Sequence, residues 1–342
     1  MGRHDAGLFG GPGQRSQRIG RAVVFWGLLL CASAGLLGLA TIAMLGGARV
    51  PQTRRAKVDL GHVVPEDPQA GSPRGPNAQP LRVAVAAMLS PKDTRRWYRD
   101  LLQLVAERAG RPLVLVQRGS YGEINELLRQ GQIDMAFVCS GPYVAGHDEF
   151  GLELLAVPMV NGKTVYHAYF LAHRSSPIEC FGDLRGRTFA FTDPDSNTGY
   201  LVPCYELAQR GETPESFFGD TFFARSHDNA IKAVAEGMAD GASVAQLIWD
   251  FLHAVDPTHT SQTKILYRSP PYGIPPVVVP PELNGDLKRT LRAILLSLHR
   301  DPRATSLLAR LRIERFVLGE DAMYESVRKM RQWREAGERA KS

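Results

Sequence analysis

Short apolar runs alternate with amphipathic helical segments over most of the chain, and this alternation constrains the fold more than any other feature of the sequence. The runs at 81–86, 113–117 and 133–139 are typical of buried strands, and the segments at 93–110 and 121–131 have the spacing of helices. Strand and helix signals in alternation are characteristic of α/β proteins. The sequence therefore predicts an α/β fold.

The same pattern starts a second time further along the chain. Strands are expected at 152–160 and 165–173, and the restart brings, in order, a strand at 188–193, a helix after Thr198, a strand around 221–225, a helix at 227–237 and an apolar stretch at 241–252. Helices are expected in the remainder, and the charged terminal helix is expected to pack one apolar stripe against its own domain. The restart predicts two lobes, each with a central sheet, around a ligand cleft at the carboxyl ends of the strands.

The N-terminal part has the composition of a membrane anchor followed by a tether. Residues 22–47 form an uncharged apolar run longer than the roughly 20 residues needed to cross a bilayer. Arginines lie just before it, so the positive-inside rule places residues 1–21 in the cytoplasm. A cleaved secretory signal is the alternative, but its apolar region usually has about 7–15 residues. We therefore expect an uncleaved transmembrane signal-anchor, single-pass in the inner or plasma membrane. A disordered proline-rich linker at 48–80 would then hold the folded part in the periplasm or outside the cell.

The basic residues are concentrated outside the predicted folded core. The chain has a formal net charge of +6, but residues 1–21, 49–80 and 323–342 carry net charges of +3, +2 and +3. Residues 81–322 therefore carry about −2. This distribution argues against a basic nucleic-acid-binding core, and no nucleic-acid partner is expected.

Four cysteines, at positions 31, 139, 180 and 204, lack the CxxC spacing of metal sites. Cys180 and Cys204 flank the same strand, and in an oxidising compartment they form either a disulfide or two free thiols. Cys139 ends an apolar run and is interpreted as a small core residue, because no His/Asp arrangement can be assigned to it. No metal and no cofactor is expected.

A polar turn at 195–199 has the features of an anion-binding site. It follows an apolar strand in FTDPDSNTGYLVP (191–203) and opens an apolar helical segment. Backbone N–H groups at a helix start lack internal partners and carry the positive end of the helix dipole, while the hydroxyls of Ser196 and Thr198 add donors. A phosphoryl-type group would fit there. The alternative is an ordinary N-terminal cap, for which the same residue types are common.

Several longer segments resemble one known family. LRVAVAAMLSP, GSYGEINELLRQGQIDMAFVCSGPYV, the segment from VYHAYFLAH to CYEL, and SHDNAIKAVAEGMADGASV are similar to the phosphate/phosphite/phosphonate-binding components of ABC transporters; DPDSNTGYLVP is the most specific part. The resemblance implies a type II periplasmic-binding-protein fold with one lobe at 81–172 and 268–342 and the other at 173–267. It also implies a monomeric receptor, not an enzyme, that delivers a small oxyanion to an ABC transporter permease in the membrane.

The resemblance also assigns a ligand site. Its residues in this sequence are Ser196, Asn197, Thr198 and Gly199 in the turn, with Tyr121, Tyr166, His227 and Ser140 around it. Asn197 departs from the family's usual Ser-Thr-Ser turn, although its amide can still donate to a phosphoryl oxygen. Without the resemblance, the tyrosines would be interpreted as packing residues at a sheet edge and His227 as a cap or surface residue. No catalytic residue is implied.

The expected ligand depends on carboxylates that are missing. Family members that take an aminoalkyl phosphonate place carboxylates around the ammonium group, and the matching positions here are Gln246 and Pro275 or Pro276. Because an unpaired buried cation is costly, we expect phosphite, phosphate or an alkylphosphonate. Asp240, in the turn GMADGAS, either accepts a hydrogen bond from a protonated oxyanion or is structural, and the structural role is favoured.

Two other classes of function are compatible with the composition. An enzyme could use Cys139, His167, His173, Asp193 and His227, but the sequence contains no GxSxG, HExxH or Walker-type motif. A membrane-anchored ligand-sensing module working with a separate signalling partner is the alternative to transport, because a bilobal binding domain on a single span suits both roles.

Overall fold

The computed structural model of the chain describes residues 79–339, which form two α/β lobes. The strands of this region are β1 Leu81–Val85, β2 Leu113–Val116, β3 Met135–Phe137, β4 Glu153–Met159, β5 Val165–Tyr166, β6 Ala168–His173, β7 Thr188–Phe191, β8 Asp220–Phe223, β9 Gly241–Ala245, β10 Thr263–Arg268, β11 Tyr272–Gly273, β12 Val277–Val279 and β13 Arg315–Val317.

The α-helices of the same region follow the strands in the order that the sequence predicts for its first two thirds. They are α1 Pro91–Arg108, α2 Tyr121–Arg129, α3 Ser140–Phe150, α4 Val202–Ala208, α5 Pro214–Phe217, α6 His227–Ala235, α7 Gln246–Val255, α8 Gly285–Ser297, α9 Pro302–Arg310 and α10 Glu325–Arg339. A π-helical turn, Asn197–Leu201, runs directly into α4.

The first lobe is built on a six-stranded sheet with the order β13-β4-β12-β3-β1-β2. Strands β2, β1 and β3 are parallel, and β12 runs antiparallel to both β3 and β4. The central strands are almost continuously apolar, as is usual for strands covered by helices on both faces; Leu81, Val83 and Ala84 of β1 are fully buried. This packing brings the carboxyl ends of β1 and β3 to the same edge of the sheet.

The second lobe has a five-stranded sheet with the order β10-β6-β9-β7-β8. Strands β8, β7 and β9 are parallel, while β6 is antiparallel to β9 and β10. Aromatic side chains fill its core, including the stacked rings of Phe189 and Phe218, whose centroids are 4.3 Å apart. Because β7, β8 and β9 are parallel, their carboxyl ends lie at one edge of the sheet.

Two chain crossings join the lobes. The short strands β5 and β11 form an antiparallel ribbon in which Tyr166 pairs with Tyr272. Strand β6 begins at Ala168 in the second sheet, five residues before the expected lobe limit of 172/173, and β10 ends there at Arg268. Such paired crossings allow two lobes to close on a ligand by a small change in a few backbone angles.

The C-terminal helix α10 contacts both lobes. Its Arg328 pairs with Asp148 of helix α3, with 2.9 Å between Nε and Oδ2. On the other lobe, Arg334 donates to the carbonyl of Pro194 at 3.0 Å and the Trp333 ring contacts that of Tyr205. Val327 and Met330 of the expected apolar stripe are buried, whereas Trp333 of the same stripe contacts the second lobe. The stripe is therefore not confined to one lobe.

The expectation that helices fill the remainder of the chain is wrong. Strands β10, β11, β12 and β13 lie there and complete all three sheets. Three of them have only two or three residues, which is too short for a period-2 pattern to be read from the sequence.

The expected cytoplasmic tail (1–21), membrane span (22–47) and nearly all of the linker (48–80) lie outside the described residues. Between residues 79 and 339, no helix combines the length and the apolar character needed to cross a bilayer.

Candidate functional site

Helical segments begin at four of the predicted site residues, and each follows the carboxyl end of a strand. Helix α2 begins at Tyr121 after β2, and α3 begins at Ser140 after β3. In the second lobe, the π-helical turn begins at Asn197 after β7, and α6 begins at His227 after β8. Helix N-termini carry partial positive charge and free N–H groups. Segments from both lobes therefore present their positive ends toward the interlobe cleft.

The two lobes touch at this point. The backbone N–H of Tyr121 donates to Oδ2 of Asp193 at 3.1 Å. An added Cβ at Gly141 would lie 2.3 Å from the carbonyl oxygen of Asp195, so these backbones approach more closely than any side chain would allow. Seven of the eight predicted site residues have exposures of 0–1%, and the eighth, Gly199, is buried in the π-helical turn. The site is closed to solvent.

Three predicted residues form a hydrogen-bonded chain between the lobes. The Ser140 hydroxyl donates to the carbonyl of Gly273 at 2.7 Å, which uses its single hydrogen. The 3.1 Å contact between the Ser140 and Tyr166 hydroxyls is then donated by Tyr166. Asn197 completes the chain, because its Nδ2 donates to Oη of Tyr166 at 3.1 Å. Ser140 and Tyr166 thus have their hydroxyl hydrogens engaged within the protein.

Three other predicted residues keep buried donors without a partner. Within residues 79–339, no hydrogen-bond partner exists for Oη of Tyr121, Oγ1 of Thr198 or Nε2 of His227. The opposite atom type is also present, since Oδ1 of Asn197 is a buried acceptor without a donor in the same region. An unpaired buried polar atom costs about 1–3 kcal/mol. Because these atoms come from residues of both lobes, they are candidates for contact with a polar ligand between the lobes.

The tautomer of His227 follows from its backbone neighbour. The N–H of Ala245 donates to Nδ1 of His227 at 3.0 Å, so Nδ1 is unprotonated and Nε2 carries the hydrogen. Burial lowers the pKa of His227 to about 3, so the ring is neutral at physiological pH. His227 therefore offers an N–H donor and no positive charge.

The polar turn combines a cap with a donor. Oγ of Ser196 accepts from the backbone N–H of Gly199 at 3.0 Å, which is the ordinary capping role. The backbone carbonyl of Thr198 accepts from the Ser243 hydroxyl at 2.6 Å. The side-chain hydroxyl of Thr198 has no partner within the described part of the chain. At Gly199, an added Cβ would lie 1.8 Å from Oγ1 of Thr192, so only glycine fits. Ser196 therefore has the capping role, and Thr198 keeps the free donor that the anion-binding interpretation requires.

Burial favours the neutral forms of the titratable groups at the site. Burial raises the pKa of the Tyr121 hydroxyl well above its usual value, so it stays protonated and able to donate. Burial likewise raises the pKa of the Cys139 thiol, although the backbone N–H groups of Asn197 and Gly141 act to lower it. Burial raises the pKa of the Asp193 carboxyl, while the N–H groups of Asp195 and Tyr121 lower it. None of these three side chains supplies a positive charge, whereas the helix N-termini carry partial positive charge.

One acidic residue near the site, Asp250, was not among the residues predicted from the sequence. Gln246, where the expected carboxylate is missing, donates through Nε2 to Oδ2 of Asp250 at 2.9 Å. The two residues are one helical turn apart in α7, and this spacing in the sequence could have predicted their contact. The region is therefore not free of carboxylates, which corrects the premise of the argument against an aminated ligand.

The remaining candidates lie elsewhere. Asp240 accepts from the backbone N–H of Thr188 at the amino end of β7, the sheet edge opposite the site, and is structural. His173 ends strand β6, and its ring contacts the hydroxyl of Ser175, with 2.9 Å between Nδ1 and Oγ. Cys180 and Cys204 are free thiols, the first exposed and the second buried.

The chain is similar to one protein family and to several of its members. The family model for the periplasmic substrate-binding protein of phosphonate ABC transporters matches residues 83–324. The chain is 22% identical to the phosphonates-binding periplasmic protein of Escherichia coli over 260 residues, which cover 75% of this chain and 77% of that protein. It is 26% identical to the phosphate-import protein PhnD of Mycolicibacterium smegmatis over 172 residues, which cover 47% of this chain and about half, 53%, of that relative.

A solved structure supports the fold. The binding protein component of an ABC phosphonate transporter from Pseudomonas aeruginosa superposes with a TM-score of 0.73 at 21% identity, covering 78% of this chain and 90% of that one. The two-lobed type II periplasmic-binding-protein architecture expected from the sequence is confirmed by this likeness.

Proposed function

The chain belongs to the family of periplasmic substrate-binding proteins of phosphonate ABC transporters, and from this membership we propose that it is the receptor for a small phosphorus oxyanion. The observation that carries the proposal is the set of buried, unpartnered atoms that the predicted site residues carry within the described region. Three are donors, on Tyr121, Thr198 and His227, and one is an acceptor, Oδ1 of Asn197. A tetrahedral oxyanion with one hydroxyl would satisfy both kinds of atom.

The proposed binding step uses closure of the lobes. In an open form, the donors of Tyr121 and those of Thr198 and His227 would face water across the cleft. Closure about the β5–β11 ribbon would bring them together, and the chain from Asn197 through Tyr166 to Ser140 would hold the lobes in that position. Reopening would release the ligand to an ABC permease. The family works outside the cytoplasm, and we propose that residues 22–47 anchor a monomer beside that permease.

The same groups argue against catalysis. The buried Cys139 has a raised pKa and would be a poor nucleophile. His227 has its Nδ1 occupied by a backbone N–H and a pKa of about 3, so it would be a poor general base near neutral pH. We therefore propose binding without chemical conversion. Because the family consists of components of ABC transporters, we propose a role in transport and not in sensing.

Calorimetry on the full chain with phosphate, phosphite, methylphosphonate and sulfate tests the proposal. At least one phosphorus oxyanion should bind, and sulfate should bind more weakly, because it has no hydroxyl to donate to Asn197 at neutral pH. Tyr121→Phe should weaken binding roughly 5- to 150-fold, while Tyr205→Phe, outside the site, serves as the matched control. Absence of binding by all three phosphorus anions would refute the proposal.

A further inference from the structure

The C-terminal helix α10 runs from the first lobe to the turn that is proposed to bind the oxyanion. It begins at Glu325, directly beyond the residues 83–324 that the family model matches, so family membership assigns no role to it. Three of its arginines follow one another at a spacing of three residues, Arg328, Arg331 and Arg334. Residues at this spacing are neighbours on a helix surface, so the three side chains form one row along α10.

The first two arginines anchor α10 on the first lobe. Nε of Arg328 lies 2.9 Å from Oδ2 of Asp148, and Nη2 of Arg331 lies 3.4 Å from Oε1 of Glu149. Both acids belong to helix α3 of that lobe. The two arginine side chains are only 14% and 12% exposed, so these ion pairs are screened less than pairs of two fully exposed side chains.

The third arginine contacts the proposed oxyanion turn in the second lobe. Nη1 of Arg334 donates to the carbonyl oxygen of Pro194 at 3.0 Å, and Pro194 directly precedes the turn at 195–199. The same guanidinium lies 5.8 Å from the ring centroid of Tyr200, which is within the range of a cation–π contact. Tyr200 belongs to the π-helical turn that begins at Asn197. Arg334 therefore contacts residues on both sides of the polar turn.

An aromatic contact beside Arg334 strengthens the same connection. The ring centroids of Trp333 and Tyr205 are 5.4 Å apart in an edge-to-face arrangement, and Tyr205 lies in helix α4, which continues from the π-helical turn. Opening of the cleft must therefore break either these contacts with the second lobe or the ion pairs that hold α10 on the first.

Resting on the proposed function, we infer that α10 is a strap that favours the closed form before the ligand binds, and that Arg334 is a positioning residue for the oxyanion turn. Arg334 acts through the turn and not on the ligand, because it holds the segment that carries Thr198 against the first lobe. Apparent affinity is proportional to the fraction of molecules in the binding-competent form, so loss of the strap lowers affinity although no ligand contact is removed.

The test combines two measurements on the full chain, calorimetry with phosphate, phosphite and methylphosphonate and hydrogen–deuterium exchange without ligand. Arg334→Met removes the donor and the charge but keeps much of the apolar stem. Affinity for the anion that binds should fall roughly 3- to 10-fold, and the amides of residues 195–201 should exchange at least about threefold faster. Arg334→Lys keeps a cationic donor and should recover part of the affinity.

The matched control is Lys329→Met, which removes a cation from the same helix. Lys329 is 73% exposed, and its ion pair, at 3.8 Å, is with Glu325 of α10 itself. This variant should leave both quantities unchanged, because it does not alter a contact with the second lobe. An equal loss of affinity in Lys329→Met would show a general effect of α10 on stability and would overturn the inference.

Three further outcomes separate the strap from the receptor proposal. Native affinity in Arg334→Met, native exchange at 195–201, or no recovery in Arg334→Lys would each overturn the inference while leaving the receptor proposal intact. If none of the three anions binds, the receptor proposal fails by itself. The exchange at 195–201 then still decides whether α10 is a strap, since that measurement needs no ligand.

Discussion

At the scale of single residues, the eight predicted site residues differ in how their polar atoms are engaged. Ser140 and Tyr166 donate their hydroxyl hydrogens within a chain of hydrogen bonds between the lobes, and Ser196 caps the turn. Thr198 and His227 instead keep donors without a partner in the described region. Residue type alone does not distinguish these roles, because serine and threonine hydroxyls have the same bonding capacity.

Thr198→Val should affect binding and stability in opposite directions. Valine keeps the shape but removes the unpartnered hydroxyl, so oxyanion affinity should fall by about 1–3 kcal/mol, while the free energy of unfolding without ligand should stay the same or rise. Calorimetry and denaturant titration measure the two quantities. Thr221→Val, at an exposed position, is the control. Unchanged affinity in Thr198→Val would mean that its hydroxyl does not contact the ligand.

His227 should make the fold sensitive to acid. Its pKa is about 3 in the folded state, against about 6.5 in the unfolded state, so below pH 6.5 the unfolded state binds a proton that the folded state does not. Its contribution to the free energy of unfolding is complete above pH 6.5 and falls by up to about 1.4 kcal/mol per pH unit toward pH 3.

Denaturant titrations of the native chain and of His227→Asn between pH 7 and pH 4 measure this effect. Asp193 and Asp228 are also buried and titrate in both proteins, so the difference between the two profiles isolates His227. The native chain should lose stability more steeply than the variant as the pH falls. Parallel profiles would contradict the neutral, buried state of the ring.

At the scale of elements, the site depends on where helices begin. The helical segments that start at Tyr121, Ser140, Asn197 and His227 each follow a strand directly. The contribution of one helix dipole to an anion is typically about 0.3–1 kcal/mol and falls off within one turn, so several ends are needed for a useful sum. This arrangement lets an anion bind without a buried cationic side chain, whose desolvation would be costly.

Gly199→Ala should distort the π-helical turn. Its Cβ would overlap the Thr192 side chain, so the turn must shift, at a cost of about 1–3 kcal/mol in the free energy of unfolding. The donor of Thr198 would move with it, and oxyanion affinity should fall at least tenfold. Denaturant titration and calorimetry test both effects. In the control Gly119→Ala, the added Cβ meets its nearest atom at 3.5 Å, and neither quantity should change by a comparable amount.

At the scale of the whole molecule, the site exists only where the lobes meet. Tyr121 and Ser140 belong to one lobe, while Asn197, Thr198 and His227 belong to the other. Helix α10 adds a second connection, because it pairs with Asp148 on one side and contacts Tyr205 on the other. Under the proposed function, ligand binding and closure form one coupled equilibrium, and a substitution that prevents closure should reduce affinity without unfolding either lobe.

Gly141→Ala should shift the molecule toward an open form. The added Cβ would lie 2.3 Å from the backbone oxygen of Asp195 in the opposite lobe, and this backbone atom cannot rotate away. Small-angle scattering in the presence of saturating ligand should give a larger radius of gyration than for the native chain, and affinity should fall at least tenfold. Gly182→Ala, where the nearest atom is at 3.6 Å, is the control. Native compactness together with native affinity would show that the contact is not needed for closure.

The sequence by itself determined the α/β alternation, the position of the polar turn at 195–199 and the family. These features are local: apolar periodicity is read over about ten residues, and the residues that begin a helix lie within one turn of it. Strands β1 and β2, helix α2 and the start of α6 at His227 accordingly fall at or within one residue of their expected beginnings. The short strands β11 and β13 carried too little periodicity to be recognised.

Only the tertiary structure decided which polar atoms remain available to a ligand. Ser140, Tyr166 and Asn197 meet although up to 57 residues separate them along the chain, and their mutual bonds leave Tyr121, Thr198 and His227 as the donors. The position of Asp250 in the wall of a cavity between the lobes was decided in the same way, although its pairing with Gln246 is local to helix α7. The physical reason is that a hydrogen bond or a cavity wall depends on the distance between atoms in space, which sequence spacing does not specify across two lobes.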